Sequence, residues 1–280
     1  IEKRHLEIIK NCIPILNQSS IISFLKKHLN ELEALLDAIH LLEEATPKNN
    51  AAISAYGELL SSNIIQEIFS FNGIDCVLKD SRDLITTLHH NGKEVVDQYS
   101  SYNNIKKYFK NNTSDLVLLP GFVASNASGE TTTLGRGGSD YSAALIASAT
   151  ESEVLEIWTD VSGMFTAHPK IVTQAKPIEK LTYFEAMELS HFGAKVIYPP
   201  TLQPIIEKKI PILIKNTFAP EDTGTLIDDS KVAENGEIVK GISHIDKVAL
   251  INLEGSGMIG ITGFSKRFFE VLSDENINVI

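Results

Sequence analysis

The side chains best suited to bind a small ligand are concentrated in the glycine-rich segment 131–140, which reads TTTLGRGGSD. Its three glycines allow a ligand to approach the backbone closely. Ser139 and Asp140 stand where a helix should begin, and the unpaired N–H groups of a helix start favour an anion. Arg136 adds a planar fork of donors that can clamp a carboxylate, and Asp140 can receive an ammonium group. The segment therefore fits an amino acid. A tight turn before a capped helix, with a solvated arginine, is the alternative interpretation.

The elements that must position this loop alternate between helices and short strands. Apolar residues at spacings of three and four predict a long helix over residues 20–45, and a second helix is predicted from 51 to 72, ending at Gly73. Short apolar runs typical of buried strands follow at 76–78, 116–119, 155–158 and 212–214. Helices are predicted between these runs at 101–110, 139–149, 183–192 and 201–208. This order predicts an α/β fold with an open, mostly parallel sheet and helices on both faces.

Such sheets bind ligands at the carboxyl ends of their strands. Thr159 and Asp160 directly follow the apolar run 155–158 and are therefore candidate binding residues. A cap between a strand and a turn is the alternative interpretation of this pair.

The character of the chain changes after Ile227. Residues 228–236 are polar and charged, which predicts a linker. The following segments predict a strand over 248–253, a glycine loop over 255–260, a helix over 265–274 and the start of another strand at 277–280. We therefore expect the beginning of a second, smaller α+β domain.

Composition excludes several classes of function. The chain has 280 residues and a net charge of −11, which argues against binding the phosphate backbone of nucleic acids. Two cysteines without a C-x-x-C pair predict reduced thiols in a cytoplasmic protein, and no apolar stretch has the length of a membrane helix. The eight histidines show no metal-ligand spacing. Residues 1–10 contain no signal-peptide core and no initiator Met, so we expect the chain to begin inside a longer protein.

The motif GRGGSD at 135–140 resembles the substrate loop of aspartate kinases, within the amino-acid kinase family. Further motifs occur in the order of that family: YGE at 56–58, EIWTDV at 156–161, FGAKV at 192–196 and PILIKNT at 211–217. The sequence EAMELS at 185–190 looks most like the kinase part of bifunctional aspartate kinase–homoserine dehydrogenases. The resemblance spans residues 50–227, and the tail after 238 looks like the first half of an ACT regulatory domain.

The resemblance implies a kinase that transfers the γ-phosphoryl group of ATP, with Mg²⁺, to the β-carboxylate of L-aspartate. It implies a kinase domain over 1–227 that lacks the N-terminal strand and glycine loop of the family, a linker over 228–237 and the beginning of an ACT-like domain over 238–280. Thr or Lys would bind the ACT region as an effector. We also expect a homo-oligomer that binds neither nucleic acids nor membranes.

The resemblance also assigns site residues. Aspartate would be bound by Glu58, Phe122, Arg136, Gly137, Gly138, Ser139 and Asp140. The nucleotide would be bound by Thr159, Asp160, Phe165, Lys170, Lys195 and Val196, and no metal ligands are expected. Taken singly, Glu58 is typical of an exposed helix residue and Lys195 of a solvated lysine, so both roles rest on the motifs.

The chain departs from the family pattern in the nucleotide contacts more than in the aspartate contacts. Phe165 replaces a tyrosine, Lys170 replaces an arginine, and two prolines follow Tyr198 where His-Pro is typical. Residues 1–20 do not resemble the N-terminal Lys-Phe-Gly-Gly-Thr-Ser segment of the family, so these 280 residues alone are expected to be inactive. Two alternatives remain: another amino-acid kinase, acting on glutamate or N-acetylglutamate, and a non-catalytic regulatory or oligomerising fragment.

Overall fold

The structure is a computed structural model that describes residues 1–90, 92–191, 196–229, 239–245, 248–253, 262–275, 277 and 279. Within these residues, no helix combines the length and the apolar character needed to cross a membrane.

Three helices begin the chain: α1 (Glu2–Cys12), α2 (Gln18–Leu42) and α3 (Pro47–Phe71). Helix α2 confirms the helix predicted over 20–45, and its first half packs on α1 and α3 through Ile21 and Leu25. Helix α3 begins four residues before the predicted start, because the Thr46 side chain accepts the Asn49 N–H at 3.2 Å and Pro47 occupies the first helical position.

The next part of the chain forms two small sheets beside one helix. Its elements are β1 (Val77–Leu78), β2 (Thr86–His90), β3 (Lys93–Val96), α4 (Gln98–Asn111), β4 (Val117–Leu118), β5 (Val123–Asn126) and β6 (Thr131–Thr133). Strands β1 and β4 pair in parallel, and the other four are ordered β3-β2-β5-β6. The pairs β2–β3 and β5–β6 are antiparallel, whereas β2 and β5 run parallel.

The following part is built around a third sheet. Its elements are α5 (Gly138–Thr150), β7 (Leu155–Thr159), β8 (Lys180–Thr182), α6 (Tyr183–His191), α7 (Pro199–Lys208), β9 (Ile212–Asn216) and β10 (Thr225–Asp228). The strand order is β7-β9-β10-β8, with β9 and β10 antiparallel and the outer pairs parallel. A final helix, α8 (Phe264–Asp274), follows.

Helix α5 joins the two halves of the molecule, because it is buried on both sides. Ala144 and Ala147 pack into the core of the third sheet. Leu145 and Ala149 pack on the opposite side, into the core that covers β2 and β5. A helix that is apolar all round is a buried helix, and its small alanines allow both halves to approach closely. The N-terminus of α5 is therefore fixed at the junction of the two halves.

The α/β prediction is confirmed, and each of the four apolar runs contains a strand, as β1, β4, β7 and β9. The sheets are more mixed than predicted, because the polar strands β2, β3, β5 and β6 form antiparallel pairs.

Predictions for the tail have different outcomes. The helix over 265–274 is confirmed as α8. The strand predicted over 248–253 is wrong, because these residues form no β-ladder within the described chain and the side chain of Leu250 is 99% exposed. The glycine loop over 255–260 and all but 228 and 229 of the linker over 228–237 lie outside the described residues, as do 278 and 280 of the last predicted strand.

Candidate functional site

The loop between β6 and α5 has the geometry that its glycines predict. Gly137 caps the N-terminus of α5 with a φ of 66°, and Gly135 has a φ of 70°. L-residues with a side chain adopt such positive angles at a cost, which glycine avoids. The Gly138 N–H donates to the Gly135 carbonyl at 3.1 Å, and the first helical bond runs from the Tyr141 N–H to the Gly137 carbonyl at 2.9 Å. Main-chain bonds of Gly138 and Tyr141 therefore fix the loop at the start of α5.

Phe122 forms one wall of this loop. A Cβ added to Gly138 would lie 2.8 Å from Phe122 Cδ2, so only glycine fits beneath the ring. Phe122 has a φ of 69°, which is uncommon for a bulky residue. Its N–H donates to Ser142 Oγ at 3.0 Å, and that hydroxyl donates to the Gly138 carbonyl at 2.8 Å. The first turn of α5 thus holds Phe122 in its strained conformation.

Helix α3 brings Glu58 to the same place. The helix packs along β6, and near its start Lys48 Nζ lies 2.5 Å from Glu130 Oε1 on the β5–β6 turn. A pocket of about 310 Å³ results, lined by Glu58, Phe122, Gly135, Gly137, Gly138, Ser139 and Asp140. Six of the seven residues predicted for aspartate binding line this one pocket. The seventh, Arg136, lies between two of the lining glycines with an exposed side chain.

Two carboxyl groups in this pocket are destabilised as anions. Burial raises the pKa of Glu58, and burial likewise raises the pKa of Asp140. Among the described residues, no Lys or Arg forms an ion pair with either group. A positive group supplied by a ligand would relieve this cost, because an opposite charge nearby favours the ionised carboxylate.

The predicted nucleotide residues Thr159 and Asp160 lie where a strand ends, as expected. Thr159 is the last residue of β7, and its hydroxyl donates to Asp160 Oδ1 at 3.3 Å. The neighbouring strand β9 runs parallel and ends at Asn216, whose side-chain amide donates to Ser162 Oγ at 2.9 Å. The Thr217 N–H donates to the Thr159 carbonyl at 2.8 Å. The carboxyl ends of β7 and β9 therefore form one polar edge.

The loop after β7 carries Phe165 and Lys170. It turns at Gly163, where φ is 107° and a Cβ would lie 2.3 Å from Thr225 Oγ1. That buried hydroxyl accepts the Met164 N–H at 2.8 Å. Phe165 is half-buried, whereas Lys170 is exposed.

The other predicted nucleotide residues are less informative. Val196 packs against the core of the third sheet. Lys195 lies outside the described residues, together with 192–194.

The sequence interpretation did not select two residues of these sites, Tyr198 and Asn216. A Cβ on Gly137 would lie 2.5 Å from Tyr198 Cβ, so Tyr198 packs against the N-cap of α5. Nothing in the sequence signals that contact. Asn216, in contrast, lies in the quoted motif PILIKNT, directly after a predicted strand, and this position could have identified it. Among the residues that the structure describes, no three His, Cys, Asp or Glu lie together as metal ligands.

Comparisons with known proteins match almost the whole chain. The profile of the amino acid kinase family matches residues 5–216, and that of the ACT domain matches residues 251–280. The bifunctional aspartokinase/homoserine dehydrogenase 1 of Arabidopsis thaliana is 36% identical over 267 residues, which cover 94% of this chain and 29% of that protein. The bifunctional enzyme of Buchnera aphidicola is 35% identical over 286 residues, covering 100% of this chain and 34% of that protein.

A solved structure of an aspartokinase is also similar to this chain. Escherichia coli aspartokinase III in complex with aspartate and ADP superposes with a TM-score of 0.80 and 29% identity, over 97% of this chain and 59% of that one. The chain thus spans about a third of the length of the two bifunctional relatives.

Proposed function

This chain belongs to the amino acid kinase family, and we propose that it phosphorylates the β-carboxylate of L-aspartate with ATP to give 4-phospho-L-aspartate. The observation that carries the proposal is the pocket at the start of α5, where two desolvated carboxyls and the first residues of the helix line one cavity, with Arg136 next to it in the sequence.

The acceptor would bind by charge complementarity. Glu58 and Asp140 would receive the ammonium group of aspartate, which removes the cost of their burial. Arg136 and the N–H group of Ser139 would bind a carboxylate, because a guanidinium fork and a helix start both favour anions. Phe122 would exclude water from one side. These contacts would fix the position of the β-carboxylate, which is the phosphoryl acceptor.

The nucleotide would bind at the polar edge formed by the ends of β7 and β9. Thr159 and Asp160 offer a hydroxyl and a carboxylate there. Phe165 and Lys170 would approach from the following loop, and Lys195 and Val196 from the segment before α7. Mg²⁺, bound to the phosphate oxygens, would supply charge neutralisation at the transferred group. The nucleotide would carry the ion, so few protein ligands are needed.

The reaction needs alignment more than covalent catalysis. An oxygen of the aspartate β-carboxylate attacks the γ-phosphorus, the bond from that phosphorus to the β–γ bridging oxygen breaks, and ADP leaves. Helix α5 is fixed between both halves of the molecule, so it can hold the acceptor in line with a nucleotide bound at the third sheet. We further propose that an amino acid such as Thr or Lys binds the ACT region and that the protein forms homo-oligomers.

The test is formation of an acyl phosphate from ATP, trapped with hydroxylamine, using L-aspartate, L-glutamate and N-acetyl-L-glutamate as acceptors. We expect product with aspartate and with neither of the other two acceptors, and we expect it from a chain extended at its N-terminus with the Lys-Phe-Gly-Gly-Thr-Ser segment of the family. Preferential phosphorylation of glutamate or N-acetylglutamate would replace the proposed substrate. Binding of aspartate and ADP without any product would support a regulatory role.

A further inference from the structure

The segment 239–245 lies between the two matched family profiles, which end at 216 and begin again at 251. The sequence places it in the ACT-like region. In the structure it packs on the loop 163–170 and on α6, both of which lie within the residues matched by the kinase family profile.

Backbone hydrogen bonds connect this segment to the loop. The Ile242 N–H donates to the Thr166 carbonyl at 2.9 Å. The Thr166 N–H donates in turn to the Lys176 carbonyl, also at 2.9 Å. Both main-chain polar groups of Thr166, the neighbour of Phe165, are therefore hydrogen-bonded. One of the two partners lies in the segment 239–245.

Side-chain contacts strengthen the same attachment. Lys240 Nζ lies 2.7 Å from Glu185 Oε1, and Glu185 also accepts the Thr182 N–H at 2.8 Å at the start of α6. Gly241 is closely packed, since a Cβ there would lie 3.3 Å from Leu189 Cδ2 and 3.5 Å from the Thr166 carbonyl oxygen. The segment is thus anchored on α6 while it contacts the loop.

The contact continues towards Lys170. The rings of His168 and His244 meet edge-on with their centres 5.5 Å apart. His168 Nδ1 accepts the Lys170 N–H at 3.2 Å. The segment 239–245 therefore reaches the loop at both Thr166 and His168, just before the turn over 169–171 that contains Lys170.

We propose that residues 239–245 are a positioning element of the nucleotide site, which holds the loop 163–170 so that Phe165 and Lys170 can contact the nucleotide. The proposal rests on the nucleotide site described under the proposed function. Its physical basis is that the segment supplies a backbone bond to Thr166 and an anchor on α6 through Lys240. Nucleotide affinity then depends on residues outside both matched profiles.

The decisive variant is Ile242→Pro, because proline has no N–H to donate to Thr166. Ile242→Ala is the matched control, since it keeps the N–H and shortens a side chain that is 69% exposed. Lys240→Ala, which removes the anchor on Glu185 at a partly exposed site, provides a second variant should the proline variant fold poorly.

Hydrogen exchange tests the attachment itself. We expect amides of residues 163–172 to exchange faster in Ile242→Pro and in Lys240→Ala than in Ile242→Ala, because local opening exposes hydrogen-bonded amides. Unchanged exchange in both variants would overturn the proposal whether or not the protein is a kinase.

Nucleotide binding tests the consequence. Trp158 is the sole tryptophan, is 47% exposed and precedes Thr159, so its fluorescence can report ADP binding. We expect a Kd for ADP that is about 3–10-fold higher in Ile242→Pro than in Ile242→Ala, the scale of one lost hydrogen bond. The Kd for aspartate should be unchanged. Faster exchange in the variants with unchanged ADP affinity would refute the positioning role. If the chain without substitutions binds no ADP, the proposed function is contradicted instead.

Discussion

Replacing Asp140 with asparagine should weaken aspartate binding while stabilising the fold. The substitution keeps the shape of the side chain and removes its charge. Burial raises the pKa of Asp140, which means that folding disfavours the ionised form near neutral pH. The neutral amide avoids that cost, so the melting temperature of Asp140→Asn should rise.

The loss of binding can be bounded from the geometry. A hydrogen bond to a charged group contributes about 1.5–3 kcal/mol, and the lower half of that range applies because Asp140 is only half-buried. The Kd for aspartate should therefore rise about 10–40-fold, with the Kd for ADP unchanged.

The pH dependence has a definite sign. Because the pKa of Asp140 and that of Glu58 are raised, protonation as the pH falls removes the charges that bind ammonium. As the pH is lowered, aspartate affinity should therefore begin to fall at a higher pH than it would if the pKa values of both carboxyls were ordinary. Asp140→Asn should weaken this pH dependence, and Glu58→Gln, a second variant of the same kind, should do the same.

Calorimetric titration with aspartate and with ADP between pH 5 and 8 measures both affinities and their pH dependence. Thermal unfolding over the same pH range measures the melting temperature. A variant that is less stable and binds both ligands poorly would show a structural role for Asp140. Unchanged aspartate affinity would refute the assignment of this carboxyl to the ammonium group.

Three further substitutions test the remaining parts of the two sites. Arg136→Lys keeps the charge but loses the fork, so aspartate affinity should fall by about 1.5–3 kcal/mol in calorimetry, and an equal loss for ADP would contradict the role. Gly138→Ala places a Cβ 2.8 Å from the Phe122 ring and should cost about 1–3 kcal/mol of unfolding free energy in denaturant titration; an unchanged midpoint would show that the ring moves freely. Thr225→Val removes the bond from the Met164 N–H and the bond to the Ile178 carbonyl and should destabilise the fold by about 2–4 kcal/mol, with ADP affinity reduced more than aspartate affinity. Equal loss for both ligands would place its effect outside the nucleotide loop.

The parts of the fold that follow from the sequence are those with strong local signals. The strands β7 and β9 are apolar runs of β-branched and aromatic residues, and α5 follows glycines that end one element and begin the next. The start of α5 is local as well, although its N-cap is Gly137 and no side chain caps it, so the position of Ser139 and Asp140 in the first turn is recoverable from spacing alone.

Elements that depend on distant partners are not recoverable in this way. Strand β2, with the sequence TTLHH, has one buried residue and is a strand because β3 and β5 pair with it on either side. Glu58 reaches the pocket only because α3 packs along β6, which no pattern within α3 indicates. The contact of Tyr198 with Gly137 is likewise a product of tertiary packing.

The most direct test of the central claim, that aspartate and nucleotide bind at two different edges of this structure, is the mapping of backbone amide shifts by nuclear magnetic resonance. The amides of Gly137, Gly138 and Ser139 should shift on addition of L-aspartate, and those of Thr159 and Asp160 on addition of Mg²⁺–ADP. Aspartate shifts confined to other residues, or one common set of shifts for both ligands, would contradict the account.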